Sequence, residues 1–289
     1  MPVELIANVA VQGVLTGLVY GLMALGLSVI FGVVRVVNFA HGEMMTMASY
    51  AAVVAFAAWN IDPLLSMIPI AIIMFAIGYV MQAVLINPFV NRPEHSQFIL
   101  LAAVAIIMVN GLLMIFGPDS RNVLVDYALD SIQIGPLLVD KVRVITAALA
   151  LAITAGLFAF FRLSHTGKAI RACADNHLGA LVVGLNVKHL YALTFGIGAA
   201  CVGASGAMMT LLIDTTPVIG PTFTLLAFVI VIIGGLGSMP GALLGGVLIG
   251  LTEALAGLFY DPSAKSMFGF GILILVLLFR PQGLLGRRA

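Results

Sequence analysis

Long apolar stretches separated by short polar interruptions organise this chain. The stretches run from about Leu5 to Val34, Phe39 to Trp59, Leu64 to Ile86, Phe98 to Phe116, Val142 to Phe161, Leu190 to Ile213, Phe223 to Gly235, Ala242 to Phe259 and Met267 to Phe279. Most approach or exceed the about 20 residues that a helix needs to cross a hydrocarbon core about 30 Å thick. The pattern predicts an all-α polytopic membrane protein with 8–9 transmembrane helices, some short or broken, in which residues 1–289 make a single transmembrane domain. The pieces flanking "GGLGSMPG", Gly234 to Gly241, are short enough to be half-helices meeting inside the membrane. The first stretch is longer than the bilayer core, which predicts a tilted or broken first span. It lacks a basic leader and a small-residue cleavage pattern, so it reads as a retained span.

Composition supports the same class. Of 289 residues, 62% are hydrophobic and 9% charged, against roughly 25% charged in a soluble domain. The net charge of +1 gives no bias toward nucleic acid or an acidic substrate. Placement of the charges says more. Arg162, Lys168, Arg171 and Lys188 face only Asp175 in one loop, and Arg280, Arg287 and Arg288 end the chain without an acid, so both segments read as cytoplasmic. The loop from about 117 to 141 holds Asp119, Asp126, Asp130 and Asp140 and reads as external. With nine spans, Arg35 and Arg92 also fall inside, the N-terminus lies outside and the C-terminus is cytoplasmic. An even number of spans moves the N-terminus inside.

Glycines recur every fourth residue. Gly13, Gly17 and Gly21 form one stripe, and Gly237, Gly241 and Gly245 a second, with Gly246 and Gly250 beside it. Small residues at this spacing let helix backbones approach closely in lipid, where the hydrophobic drive is absent. These stripes speak of assembly rather than substrate.

Polar groups at membrane depth are rarer. In "NFAHGEMM", Asn38 is placed to cap a helix beginning there, and Glu43 lies near the positive end of its dipole. On that helix Asn38 and His41 share a face and Glu43 points away from His41. Two readings stay open: a cap at the water interface with solvated side chains, or a helix break lining a translocation path. Glu253 shares its helix face with Gly246, Gly250 and Gly257 and so looks toward a packed neighbour, either as a structural hydrogen bond or as part of a pathway.

Other chemistry is sparse. Cys173 and Cys201 read as free thiols, the histidines lack metal-ligand spacing, and no phosphate-cradling G-x-x-x-x-G-K-[ST] occurs. The chain therefore reads as a non-enzyme that binds no cofactor or metal, with any ATP used by partner subunits. In the basic loop, Ala169 to Gly179 is compatible with a short helix, and Gly179 and Gly184 break the apolar "ALVV" run. Such a helix with an apolar knob is what a partner can grip; a solvated loop is the plainer alternative.

"GLMALGLSVIFGVVRVVNFAHGEMMTMASY", "TGKAIRACADN" with "ALVVGLN", "VIIGGLGSMPGALLGGVLIGLTEAL" and "LLFRPQGLLGRR" together resemble the permeases of branched-chain amino acid ABC importers, the LivH family, through almost the whole chain. The resemblance implies a multi-pass subunit of the bacterial inner membrane that pairs with a second, LivM-like permease, two cytoplasmic ATPase subunits and a periplasmic solute-binding protein. It implies that Arg171, Ala172, Asp175, Gly179 and Gly184 belong to a segment of about 162–189 that couples to the ATPase. "NFAHGE" and Glu253 match family positions as well, and polarity at membrane depth makes Asn38, His41, Glu43 and Glu253 candidate substrate-pathway residues. Relatives of the family carry urea, short amides or aromatic acids, which leaves the substrate open. A proton-coupled secondary transporter, with Glu43 and Glu253 carrying protons, and an assembly protein without a transport role are the competing classes.

Overall fold

The structure, a computed structural model, describes residues 3–90, 92–135, 137–261 and 265–286; Arg287 and Arg288 lie outside the described residues. Eleven α-helices are described: α1 (Val3–Val34), α2 (His41–Trp59), α3 (Pro63–Val80), α4 (Glu94–Phe116), α5 (Lys141–Leu163), α6 (His165–Asp175), α7 (His177–Val182), α8 (Val187–Met209), α9 (Gly220–Gly234), α10 (Met239–Phe259) and α11 (Lys265–Phe279). Six helical stretches are long and apolar enough to cross a membrane: Val3–Val34, Pro63–Phe89, His95–Phe116, Lys141–Leu163, Val187–Met209 and Met239–Phe259. The chain is a multi-pass helical membrane protein.

These six do not fix the number of crossings, because the expected 8–9 transmembrane helices include some short or broken ones. α2 is absent from the six because His41, Gly42, Glu43, Thr46 and Ser49 dilute its apolar character, and α9 and α11 are short apolar helices. Nor is the first span broken. α1 is one unbroken helix of 32 residues, about 48 Å long, and the break follows it at Arg35, whose φ of 59° stops the helix. "GGLGSMPG" does not join two half-helices, since α10 is 21 residues long and spans by itself. α9 alone is short there. The acidic loop also carries a small antiparallel hairpin, β1 (Ser131–Ile134) against β2 (Leu137–Asp140), in register Ser131↔Asp140. Its period-2 signal was too short to stand out between spans.

α1 is the axis of the bundle. Every residue from Gly21 to Ile30 is buried, and α8, α9, α10 and α5 pack around it. The closest approach is antiparallel, α1 against α10. A Cβ on Gly17 would stand 2.6 Å from the Gly246 carbonyl oxygen, and one on Gly13 2.8 Å from that of Gly250, inside any tolerable contact. The partner of the first stripe is therefore the Gly246 and Gly250 pair. The second expected stripe divides: Gly241 and Gly245 face Gly234 and Ile230 of α9, whereas Gly237 lies before α10, in a turn at φ 77° packed on Gly32. α10 thus offers one small-residue face to each neighbour, which lets three backbones approach without lipid between them.

The helices sort the charges to two ends. At the C-terminal end of α1, Arg35 lies near Tyr191 at the start of α8, Asn87 donates to the Lys188 carbonyl at 3.3 Å, and Leu284 N donates to the Ile233 carbonyl at 2.8 Å. The basic loop and the described part of the basic tail therefore share one end. At the other end, Leu138 N donates to Asn8 at 3.0 Å and the Tyr127 hydroxyl donates to Asp62 at 2.7 Å. The acidic loop gathers there. Asp62 also caps α3, accepting from Leu64 N at 2.8 Å with Pro63 in the first turn.

Candidate functional site

Helix α2 starts inside the protein rather than at its surface. His41 is fully buried, and its Nε2 donates 3.0 Å to the Met23 carbonyl of α1. Met23 lies well before the end of α1, so the chain returns about 16 Å from Val34 before α2 begins. A carbonyl oxygen only accepts, so Nε2 carries the proton and Nδ1 is an acceptor with no partner among the described residues.

Asn38 is fully buried in the connecting segment but is not the cap that the sequence predicts. Ala40 occupies the cap position without a side-chain bond, while Asn38 Oδ1 accepts from Ala40 N at 3.1 Å and its Nδ2 points at the Met44 sulfur at 3.6 Å. Asn38 folds the approach to the helix, two residues earlier than its start.

The start of α2 meets the start of α9. Thr224 joins them: its hydroxyl accepts from Gly42 N at 2.8 Å and lies 3.0 Å from Glu43 Oε2 and 3.3 Å from the Phe39 carbonyl, to either of which it can donate. Glu43 is 3% exposed, and a Cβ on Gly220 would come within 3.0 Å of its Cα. Gly42 in turn abuts the Gly220 carbonyl, leaving no room for a side chain. Two helix N-termini, with their free N–H groups and positive dipole ends, thus face each other across one carboxylate. The interface-cap reading, in which His41 and Glu43 are solvated, is excluded by their burial. As the helical spacing predicts, His41 and Glu43 address different neighbours, α1 and α9.

Glu253 belongs to a second place on α10. It is half-buried and interacts with the hydroxyl of Tyr20 on α1 and with the charge of Lys265 on α11. Its expected companions separate, for Gly246 and Gly250 turn to α1 whereas Gly257 turns to Lys265. The two carboxylates are not one site. They are linked through Tyr20, whose ring meets that of Phe223 edge-on at 6.4 Å, next to Thr224.

At the basic end, the expected single helix from Ala169 to Gly179 is two. α6 ends at Asp175, and Asn176 then caps α7, accepting from Gly179 N at 2.8 Å. Gly179 is therefore inside α7 rather than a breaker, while Gly184, at φ 82°, does end the segment. α6 is locked to α5 by Gly167, packed on the backbone of Phe160 and Phe161, and it buries Ile170 and Cys173, the latter near Tyr191 of α8. Burial raises the Cys173 thiol above its ordinary pKa, and it is a free thiol, as is Cys201. α7 instead projects: Leu178, Leu181, Val182 and Val183 are 68%, 50%, 87% and 74% exposed. Arg171 and Ala172 are exposed on α6.

Sequence reasoning missed Thr224, Gly42, Gly220, Tyr20 and Arg143. Thr224 had a faint signal, a hydroxyl in the otherwise apolar run after Pro221; the others act through contacts between distant segments.

A central helix, two helices whose starts meet inside the bundle and a projecting apolar helix at a basic end define a polytopic membrane protein. The chain belongs to the family described as branched-chain amino acid transport system / permease component, which matches residues 9–277. It is 30% identical over 292 residues to the high-affinity branched-chain amino acid transport system permease protein BraD of Pseudomonas aeruginosa, covering 96% of this chain and 94% of that protein. It is 33% identical over 296 residues to the corresponding LivH protein of Salmonella typhimurium, with the same coverage. A shorter match, 31% over 153 residues and half of this chain, is to the permease protein LivM of Escherichia coli. No solved structure matches the chain.

Proposed function

We propose that this chain is the membrane-embedded permease subunit of an ABC importer that moves branched-chain amino acids across the bacterial inner membrane. Its relatives over nearly their whole length are named as permease proteins of branched-chain amino acid transport systems, and the observation that carries the reading is the pair of helix starts joined at Glu43 and Thr224. Helix starts exposed to hydrocarbon leave free N–H groups unmet, so irregular backbone at depth is kept where it lines a path or lies in protein. The chain makes nine passages in this reading, with α2 and α9 as half-membrane helices, the N-terminus outside and the C-terminus cytoplasmic. The excess of Lys and Arg at the C-terminal end of α1 supports that orientation.

Partners follow from the same reading. A second, LivM-like permease completes the pathway, two ATPase subunits dock at the basic end, and a periplasmic solute-binding protein delivers the solute at the end that carries the hairpin. ATP is bound and used by the ATPases. The α6–α7 segment acts as a lever: α7 supplies the apolar knob, while α6 transmits its displacement to α5 and α8. α8 touches α2, where Ser49 donates to the Gly206 carbonyl at 2.8 Å. A rigid shift of the docked loop therefore reaches the α2–α9 junction through packed backbone, the kind of two-position rearrangement that alternates access. Asn38, His41 and Glu43 line that gate, and Glu253 lies on the outer approach to it. The apolar surroundings favour aliphatic side chains.

Uptake by the assembled transporter tests the substrate. Radiolabelled leucine is expected to be displaced by isoleucine and valine and not by urea, acetamide or an aromatic acid; the reverse order assigns the chain to another solute.

A further inference from the structure

Thr16 and Tyr20 lie one turn apart on one face of α1, and two oppositely charged side chains from other helices reach that face. Arg143 of α5 donates from Nη1 to the Thr16 hydroxyl at 3.4 Å and acts electrostatically on the Tyr20 hydroxyl. Glu253 of α10 interacts with the same Tyr20 hydroxyl. Thr16, Tyr20 and Glu253 are half-buried, unlike the sealed His41 and Glu43. An ionisable group at membrane depth faces protein or a wet cavity rather than lipid, so this half-buried face is one that protein or water covers.

The charges there have partners at the rim that can exchange. Asp140, with its side chain 45% exposed, accepts from Arg143 Nε at 3.0 Å. Lys265, also exposed, attracts Glu253. Arg143 and Glu253 reach α1 at contact points four residues apart, about 6 Å along the axis. Tyr20 stands between them, and its ring leans on Phe223.

Resting on the amino-acid transport reading above, we propose that Arg143, Tyr20 and Glu253 form an outer binding site for the zwitterionic backbone of an α-amino acid. The guanidinium takes the carboxylate through parallel N–H groups, a geometry that lysine cannot reproduce. Glu253 accepts from the ammonium, and the Tyr20 hydroxyl bridges the two poles. The aliphatic side chain lies toward Phe223, beside the α2–α9 junction that the solute passes next. This site meets both charges of a solute whose side chain offers none, and buried polar contacts of this kind reject analogues that lack one pole.

The test uses the complete transporter in proteoliposomes and the same complex in nanodiscs without the binding protein. Arg143→Gln and Glu253→Gln are each expected to lower leucine uptake tenfold or more, with Glu253→Asp recovering part of it. In nanodiscs, leucinamide, which lacks the carboxylate, is expected to compete with leucine in Arg143→Gln but not in the wild type. 4-Methylpentanoate, which lacks the ammonium, is expected to do so in Glu253→Gln. Wild-type uptake of leucine together with unchanged variants, or lower uptake with unaltered analogue preference, overturns the site while leaving the transport function standing. Failure of the wild type to take up leucine overturns both.

Discussion

The hydroxyl of Thr224 lies 3.0 Å from the carboxylate of Glu43, although 181 positions separate the two residues in the chain. Because Thr224 also receives the N–H of Gly42, one side chain closes the gap between two helix starts. Replacing it with valine keeps the shape and removes every one of these hydrogen bonds. A buried group left unmet costs about 1–3 kcal/mol, more when charged. Thr224→Val is expected to lower the melting temperature of the purified transporter and to impair uptake, while Thr224→Ser restores both. Equal behaviour of the valine and serine variants would return Thr224 to ordinary packing.

The contact between α1 and α10 has no space for side chains at Gly17 and Gly246, where added Cβ atoms meet facing carbonyl oxygens at 2.6 Å. Overpacking of this kind costs about 1–3 kcal/mol. Gly17→Leu is expected to reduce the amount of folded protein recovered in detergent. Gly156, whose Cβ position is open, is expected to tolerate the same change. The comparison by size-exclusion yield separates a tight helix contact from general sensitivity to bulk.

α7 carries its apolar side chains outward, with Val182 87% exposed. Leu178→Asp with Val182→Asp is expected to abolish co-purification of the ATPases while leaving the stability of the permease within about 0.5 kcal/mol of the parent, as for other surface changes. A bulky residue at Gly179, which would press on the Asn176 cap, is expected to uncouple ATP hydrolysis from uptake. Normal coupling in both variants removes α7 from the docking role.

Cys173 is buried on α6 and its thiol is held above the usual pKa by that burial. The thiolate is the reactive form, so a maleimide at neutral pH is expected to label an introduced Leu178→Cys rapidly and Cys173 slowly in native vesicles. Rapid labelling of Cys173 would mean that α6 does not stay packed on the bundle.

Most of the architecture was legible because lipid imposes a coarse rule: a span must be apolar and long. That rule fails at α2, where Asn38, His41 and Glu43 signalled a break but not its depth. Depth comes from the contact of His41 with Met23 on another helix, which no local pattern encodes. It fails again at α9, short because it begins beside Glu43 rather than at a surface. The glycine spacing foretold close packing but not its partners, since Gly241 and Gly246 face different neighbours on one helix. In the basic loop, composition marked a short helix, yet the break fell at Asn176, whose side chain starts a new helix, rather than at Gly179. Arg143, Tyr20 and Glu253 were invisible as a group because Arg143 and Glu253 reach the Tyr20 face of α1 only once three helices have packed.

The central claim is that this chain is a pathway powered by separate subunits. Solute accumulation in proteoliposomes tests it most directly, comparing the complete transporter with the chain alone under an imposed proton gradient. ATP-dependent leucine accumulation by the complete assembly, and none by the isolated chain, is the expected result. Gradient-driven accumulation by the chain alone, without any ATPase, would contradict the account and make Glu43 and Glu253 proton carriers.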